Sequence, residues 1–156
     1  MLGAFGGPYN DLIGRRTHLG VGAVIVDEQG QVLLVRQSYG GQGWELPGGG
    51  RGRKESVAEA VRREVREEVG VELLTAELRS VYYEADVDQH HFAFLCRLTP
   101  GAQPSPSSAE ILECRFWPVD ALPRPITEFT VQRIADARSP APVSAIRTIR
   151  ARRLME

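Results

Sequence analysis

Residues Glu55 to Val69 restrict the folding of this chain more than any other stretch. The run contains no proline or glycine, and Gly70 follows it directly, which is the pattern of a helix stopped by a glycine C-cap. Val57, Val61 and Val65 recur at every fourth position, so the helix carries one apolar stripe and needs a second layer to bury it. Just upstream, Pro47-Gly48-Gly49-Gly50 reads as a non-regular loop, because glycines permit positive φ and close backbone approach.

On either side the pattern is mostly β. Val21 to Val26 is an apolar run suited to a buried strand, Asp27 to Gly30 has turn composition, and Gln31 to Arg36 is a second strand. The pair reads as a hairpin. Trp44 to Leu46 is short and β-like, and Leu78 to Tyr83, His91 to Leu98 and Glu113 to Val119 are further candidate strands. Thr99 to Ser108 is a Pro/Ser/Gly loop, Ile126 to Ala137 is helical, and Ser139 to Pro142 breaks that helix. A last helical piece is expected over Val143 to Leu154. The sum is a mixed α/β sandwich, divided into an irregular segment over 1–17, one domain over 18–138 and a basic C-terminal tail over 139–156.

Composition removes several function classes. The 156 residues suit one domain, and a formal net charge of −1 gives no bulk field toward nucleic acid or a membrane surface. Cys96 and Cys114 lie far apart with no C-x-x-C, which excludes a thiolate zinc site and favours two free thiols over a disulfide. No apolar run approaches the roughly 18 residues of a membrane span, and no basic stretch precedes an apolar core at the N-terminus. A cytoplasmic location is the expectation. Arg147, Arg150, Arg152 and Arg153 crowd the last ten residues; a solvated or frayed end is the simpler reading, phosphate contact the alternative.

The chemistry sits in the long helix. Glu64, Glu67 and Glu68 are spaced i, i+3, i+4 and share one face. Three carboxylates held so close repel one another unless a cation sits among them, and hard oxygen ligands suit Mg²⁺ or Mn²⁺. On the glutamates alone, a solvated face balanced by Arg62, Arg63 and Arg66 is the more economical explanation.

The wider run reverses that preference. Gly49-x5-Glu55-x7-Arg63-Glu64-Val65-x-Glu67-Glu68-x-Gly70-Val71 resembles the Nudix box at every defined position. A chance match is on the order of one in a billion per starting residue at ordinary residue frequencies. Trp44-Glu-Leu-Pro-Gly48 resembles the usual lead-in, and the order of elements fits the Nudix hydrolases over about 18 to 138. The resemblance implies an α/β/α sandwich with a mixed sheet and hydrolysis of a nucleoside diphosphate linked to another moiety. It further implies that Glu64, Glu67, Glu68 and the carbonyl of Gly48 hold Mg²⁺ or Mn²⁺, that Arg63 orients a glutamate of the set, and that Glu55, with Gly49 and Gly70, braces the box. Homodimers are common among such proteins, so monomer and homodimer both stay open. A non-catalytic nucleotide-binding module and an RNA 5′-end pyrophosphohydrolase are the alternatives.

Many members use a further acid from outside the box. Glu110, after the flexible loop and before a strand, is the candidate for ligand or base, with Glu113 as its rival. Substrate contacts are less sharply marked. Arg36 faces the glycine loop from a strand end; Trp44 is a base platform or core; His91 or its neighbour His90 touches substrate or simply leaves a strand. Tyr82 and Tyr83 are adjacent on a strand, so at most one lines a pocket. Residues 86 to 89, Asp-Val-Asp-Gln, match neither the proline typical of ADP-ribose enzymes nor the tyrosine typical of dinucleoside polyphosphate enzymes.

Overall fold

The computed structural model describes residues 18–156; the expected irregular segment 1–17 lies outside the described residues. Ten strands and two helices run in the order β1 (Leu19–Ile25), β2 (Val32–Gln37), β3 (Trp44–Glu45), β4 (Gly48–Gly50), α1 (Val57–Val69), β5 (Leu73–Glu84), β6 (Gln89–Leu98), β7 (Ile111–Trp117), β8 (Ile126–Thr127), α2 (Glu128–Ala137), β9 (Arg147–Ile149) and β10 (Leu154–Met155). They form two mixed five-stranded sheets, ordered β4-β1-β6-β5-β9 and β10-β8-β3-β2-β7.

The expected hairpin of the first two strands does not form. The turn is there, with Asp27 Oδ1 accepting from the backbone N–H of Gln29 at 3.0 Å and Gln31 at 2.8 Å. Beyond a single bridge, Val26 to Val32, the strands part into different sheets. β1 is flanked by β4 and β6, while β2 is flanked by β3 and β7. Both are apolar on both faces, which a two-stranded hairpin would leave in water. Splitting them lets alternate residues face opposite sides. Val21, Ala23, Ile25, Leu33 and Val35 pack with Val61, Val65 and Val69 of α1. Val24, Val26, Val32 and Leu34 pack with Ile134 and Ala137 of α2. The sheets thus lie between two helices, an α/β/α sandwich.

α1 starts two residues later than the sequence suggests because Ser56 caps it. The Ser56 hydroxyl accepts from Glu59 N at 3.0 Å, and the Glu59 carboxylate accepts from Ser56 N at 2.8 Å, a reciprocal capping box. Glu55 is left outside the helix and free to reach elsewhere. Gly70 ends α1 at φ 69°, a conformation that favours glycine.

The helix expected over Val143 to Leu154 is replaced by β9 and β10. β9 pairs in parallel with the edge of β5, and β10 pairs antiparallel with β8. An isolated helix lacking an apolar stripe is marginal in water, whereas the two open sheet edges pair with the chain and lose their exposed backbone groups. Nor is the tail a frayed end, since Arg147 Nη1 donates to both carboxylate oxygens of Asp136 at 3.0 Å. Cys96, buried, and Cys114, half-buried, are both free thiols.

Candidate active site

β4 is the edge strand of its sheet and brings the glycine loop against α1. Ala23 N donates to Pro47 O, and Arg51 N donates to Leu19 O, so by antiparallel alternation the peptide groups of Gly48 and Gly50 turn away from β1. Gly48 N accordingly donates to Glu68 Oε2 at 3.2 Å, and Gly50 O accepts from Arg63 Nη2 at 2.9 Å. The Gly48 carbonyl belongs to the same outward set. The glycines are needed for room: a Cβ on Gly48 would run into Val21 O, and one on Gly49 would lie 2.6 Å from Glu64 Oε1.

Arg63 is the hub of the carboxylates. Its Nε donates to Glu55 Oε1 at 2.7 Å, and its Nη1 donates to Glu64 Oε1 and Glu67 Oε2, each at 3.0 Å. Glu55 Oε2 accepts from Arg63 Nη2 at 3.2 Å and from Gly52 N at 2.6 Å, tying the guanidinium to the loop. The Glu55 hydrogen bond leads the effects that hold Arg63 more firmly protonated than usual, against its burial. The same bond holds Glu55 below the ordinary carboxylate range.

Glu64 and Glu68 lie at the edge of the valine stripe. Burial raises the carboxyl of Glu64, partly offset by Arg63. Glu68 is only 8% exposed; burial, helped by the charges of Glu64, Glu110 and Glu45 and opposed by the Gly48 hydrogen bond, pushes its carboxyl up to about 8. Glu64, Glu67 and Glu68 line a cavity of about 530 Å³ with Ser107, Ser108, Glu110 and Arg66, whose guanidinium is paired with Glu72. The loop carrying the serines is seated on the helix end, where Ser107 N donates to Glu68 O at 2.9 Å. Glu110 is fixed through its backbone, its carbonyl accepting from Ser38 N at 2.8 Å. Glu113, the rival, is exposed on β7 opposite Arg36 and lines no part of this cavity.

Among the described residues no three acidic, histidine or cysteine groups form a closed metal cage; Arg63 draws Glu64 and Glu67, and Gly48 holds Glu68. The donor chemistry nevertheless fits a hard divalent cation. All the donors are oxygens, and four carboxylates face one cavity with a single guanidinium bonded among them.

A second cavity of about 260 Å³ is lined by Gly48, Gly49 and Gly50 together with Tyr39, Glu45, Gln89, His91, Arg133 and Arg152. Of the substrate contacts considered from sequence, only His91 lines it. Trp44 is core, edge-on to Trp117 at 5.2 Å. Tyr82 is fully buried with its hydroxyl donating to Asp136 at 2.6 Å, and the Tyr83 hydroxyl donates to Asp88 at 2.6 Å. Arg36 donates through Nε to Gln42 O at 3.2 Å. None of these four lines either cavity.

The sequence reading missed Glu45, Arg133 and Arg152. Strand alternation in β3 was a usable signal: with Trp44 inward, Glu45 faces the other side. Arg133 is buried, donating through Nη2 to Glu45 Oε1 at 2.6 Å; burial presses its guanidinium down and Glu45 holds it up. Arg152 donates from Nε and Nη2 to the two oxygens of Glu84 at 3.0 and 2.8 Å. Burial favours neutral His91, against the pull of Glu84, whose Oε2 lies 2.7 Å from its Nε2.

Known proteins share this architecture. The 8-oxo-dGDP phosphatase of Homo sapiens is 32% identical over 120 residues, covering 73% of this chain and 36% of that protein. The chain therefore spans about a third of that relative's length. A MutT-like protein of Streptomyces ambofaciens is 31% identical over 117 residues, covering 75% of this chain and 74% of its own. The crystal structure of a MutT NUDIX hydrolase from Burkholderia pseudomallei superimposes with a TM-score of 0.65 at 28% identity, over 78% of this chain and 98% of that one. The NUDIX domain pattern matches residues 16–136, a span that holds the glycine edge, the capped helix and its glutamate face, and the chain belongs to the NUDIX domain family.

Proposed function

We propose that the chain is a Mg²⁺- or Mn²⁺-dependent hydrolase that cleaves the pyrophosphate linkage of a nucleoside diphosphate joined to another moiety. One observation carries this reading: Glu64, Glu67, Glu68 and Glu110 face one cavity, and a second cavity opens beside it across Gly48–Gly50. Glu64, Glu67, Glu68, the Gly48 carbonyl and Glu110 would hold the metal. When bound, such ions neutralise phosphate charge, polarise phosphoryl oxygens and acidify water. Arg63 fixes Glu64 and Glu67 through charge-assisted bonds, and Glu55 fixes Arg63. Glu110, exposed and lining the same cavity, would accept a proton from the attacking water as an alternative to direct ligation.

The reading of RNA 5′ ends as substrate draws no support from the arginine tail. Arg147, Arg152 and Arg153 are engaged with Asp136, Glu84 and Glu128 rather than forming an open basic strip. The test is a panel of nucleoside di- and triphosphate derivatives incubated with each metal, with products identified. Metal-dependent cleavage between phosphates is expected; a folded sample that releases nothing from the panel with either metal contradicts the proposal.

A further inference from the structure

Residues beyond the family match, which ends at 136, contribute Arg152 to the lining of the second cavity. They form a strap pinned at several points. β9 lies on β5 with Tyr82 opposite Arg147, Ala85 N donates to Ile149 O at 3.0 Å, and Glu128 N donates to Arg153 O at 2.9 Å. Between these anchors Arg152 enters the cavity. Its Nε and Nη2 are taken by Glu84, and its guanidinium carbon lies 5.1 Å from the centre of the Phe129 ring. Among the described residues its Nη1 has no hydrogen-bond partner, which leaves fixed donors for a ligand.

Glu45 lines the same cavity. Its Oε1 accepts from Arg133 Nη2 at 2.6 Å, from Thr130 Oγ1 at 3.0 Å and from Leu46 N at 2.6 Å. Its Oε2 accepts nothing among the described residues. Each guanidinium of the cavity has its own carboxylate, Arg133 with Glu45 and Arg152 with Glu84. A phosphate would find little net positive charge here and would meet an open carboxylate oxygen. A neutral ring carrying both donors and acceptors fits instead.

We propose that this cavity selects the nucleobase of the substrate and that Arg152, carried in by the C-terminal strap, is a specificity-determining residue for a base with an oxo edge of the guanine type. The assignment rests on the hydrolase reading above for its choice of a nucleotide. Arg152 donates to the oxo group, and Glu45 Oε2 accepts from the adjacent ring N–H. Adenine held in the same orientation sets an amino group against the Arg152 donors and a ring lone pair against the carboxylate. A site built for hydrogen bonds rejects a ligand that leaves its polar groups unpaired.

The experiment is calorimetric titration of the full chain, without metal, with GMP and with AMP, on the wild type and on Arg152→Gln. GMP is expected to bind about ten-fold or more tighter than AMP, and Arg152→Gln is expected to bring the two within about two-fold while the circular dichroism spectrum is unchanged. Equal affinities in the wild type, no GMP binding at millimolar concentration, or a preference that survives Arg152→Gln each overturns the assignment. Because the titration needs neither metal nor turnover, its failure is separate from that of the hydrolase reading, which the substrate panel decides.

Discussion

The glutamate cavity beside α1 and the cavity lined by Gly48–Gly50 treat charge in opposite ways. On the α1 side, Glu55, Glu64 and Glu67 share Arg63, while Glu68 has only a backbone N–H. On the other side, Glu45 is matched to Arg133 and Glu84 to Arg152. The first region has more carboxylates than partnered cations, and in the proposed function a divalent cation would complete it. The second is balanced by the chain itself and serves to hold and to discriminate. Removing a carboxylate should therefore have opposite consequences for stability from removing a guanidinium.

The largest expected effect is in the first region. Glu68→Gln should lower kcat by a factor of hundreds or more, about 3 to 4 kcal/mol of barrier, because the proposed metal site would lose a ligand. The same substitution should raise the melting temperature of the metal-free protein, because it removes a buried carboxylate crowded by others. Near-normal turnover, or a lower metal-free melting temperature, would break the contrast. In the second region Arg133→Met should cost about 3 kcal/mol of unfolding free energy in a denaturant titration, since Glu45 would lose its buried partner; a loss under about 1 kcal/mol would show that the pair is not needed.

Acid should act on the second region more gently. Burial raises the Glu84 carboxyl, but the Arg152 bond and charge, aided by His91, outweigh it and hold it below 4.5. His91 is held below 6.5, by burial first, with Arg152 and Arg133 adding to it and Glu84 opposing. Both folded-state values are depressed, so their stabilisation is present above the unfolded values and is lost as pH falls. The melting temperature should begin to drop below about pH 6.5 and drop further below about pH 4.5, and His91→Asn should flatten the first stage. An identical profile in that variant would remove His91 from the account.

The same contrast explains what could be read from sequence. The glutamate face is one contiguous run on one helix, so spacing alone placed Glu64, Glu67 and Glu68 together, with the glycine loop at their edge. The balanced cavity draws Glu45, Glu84, His91, Arg133 and Arg152 from five elements or loops, and nothing in local spacing links them. The apolar runs of β1 and β2 were legible as strands, but their separation into two sheets was not, because it depends on burying both faces at once. The tail looked helical because its arginines carry no β pattern; its conformation is set by the open edges of β5 and β8, which only the assembled sheets reveal.

The proposal that the α1 region holds a divalent cation is tested most directly by titrating Mn²⁺ into the protein and following free Mn²⁺ by electron paramagnetic resonance, for the wild type and for Glu68→Gln. The account predicts saturable binding by the wild type and affinity at least about ten-fold weaker in the variant. No binding by the wild type, or equal affinity in the two proteins, would contradict it.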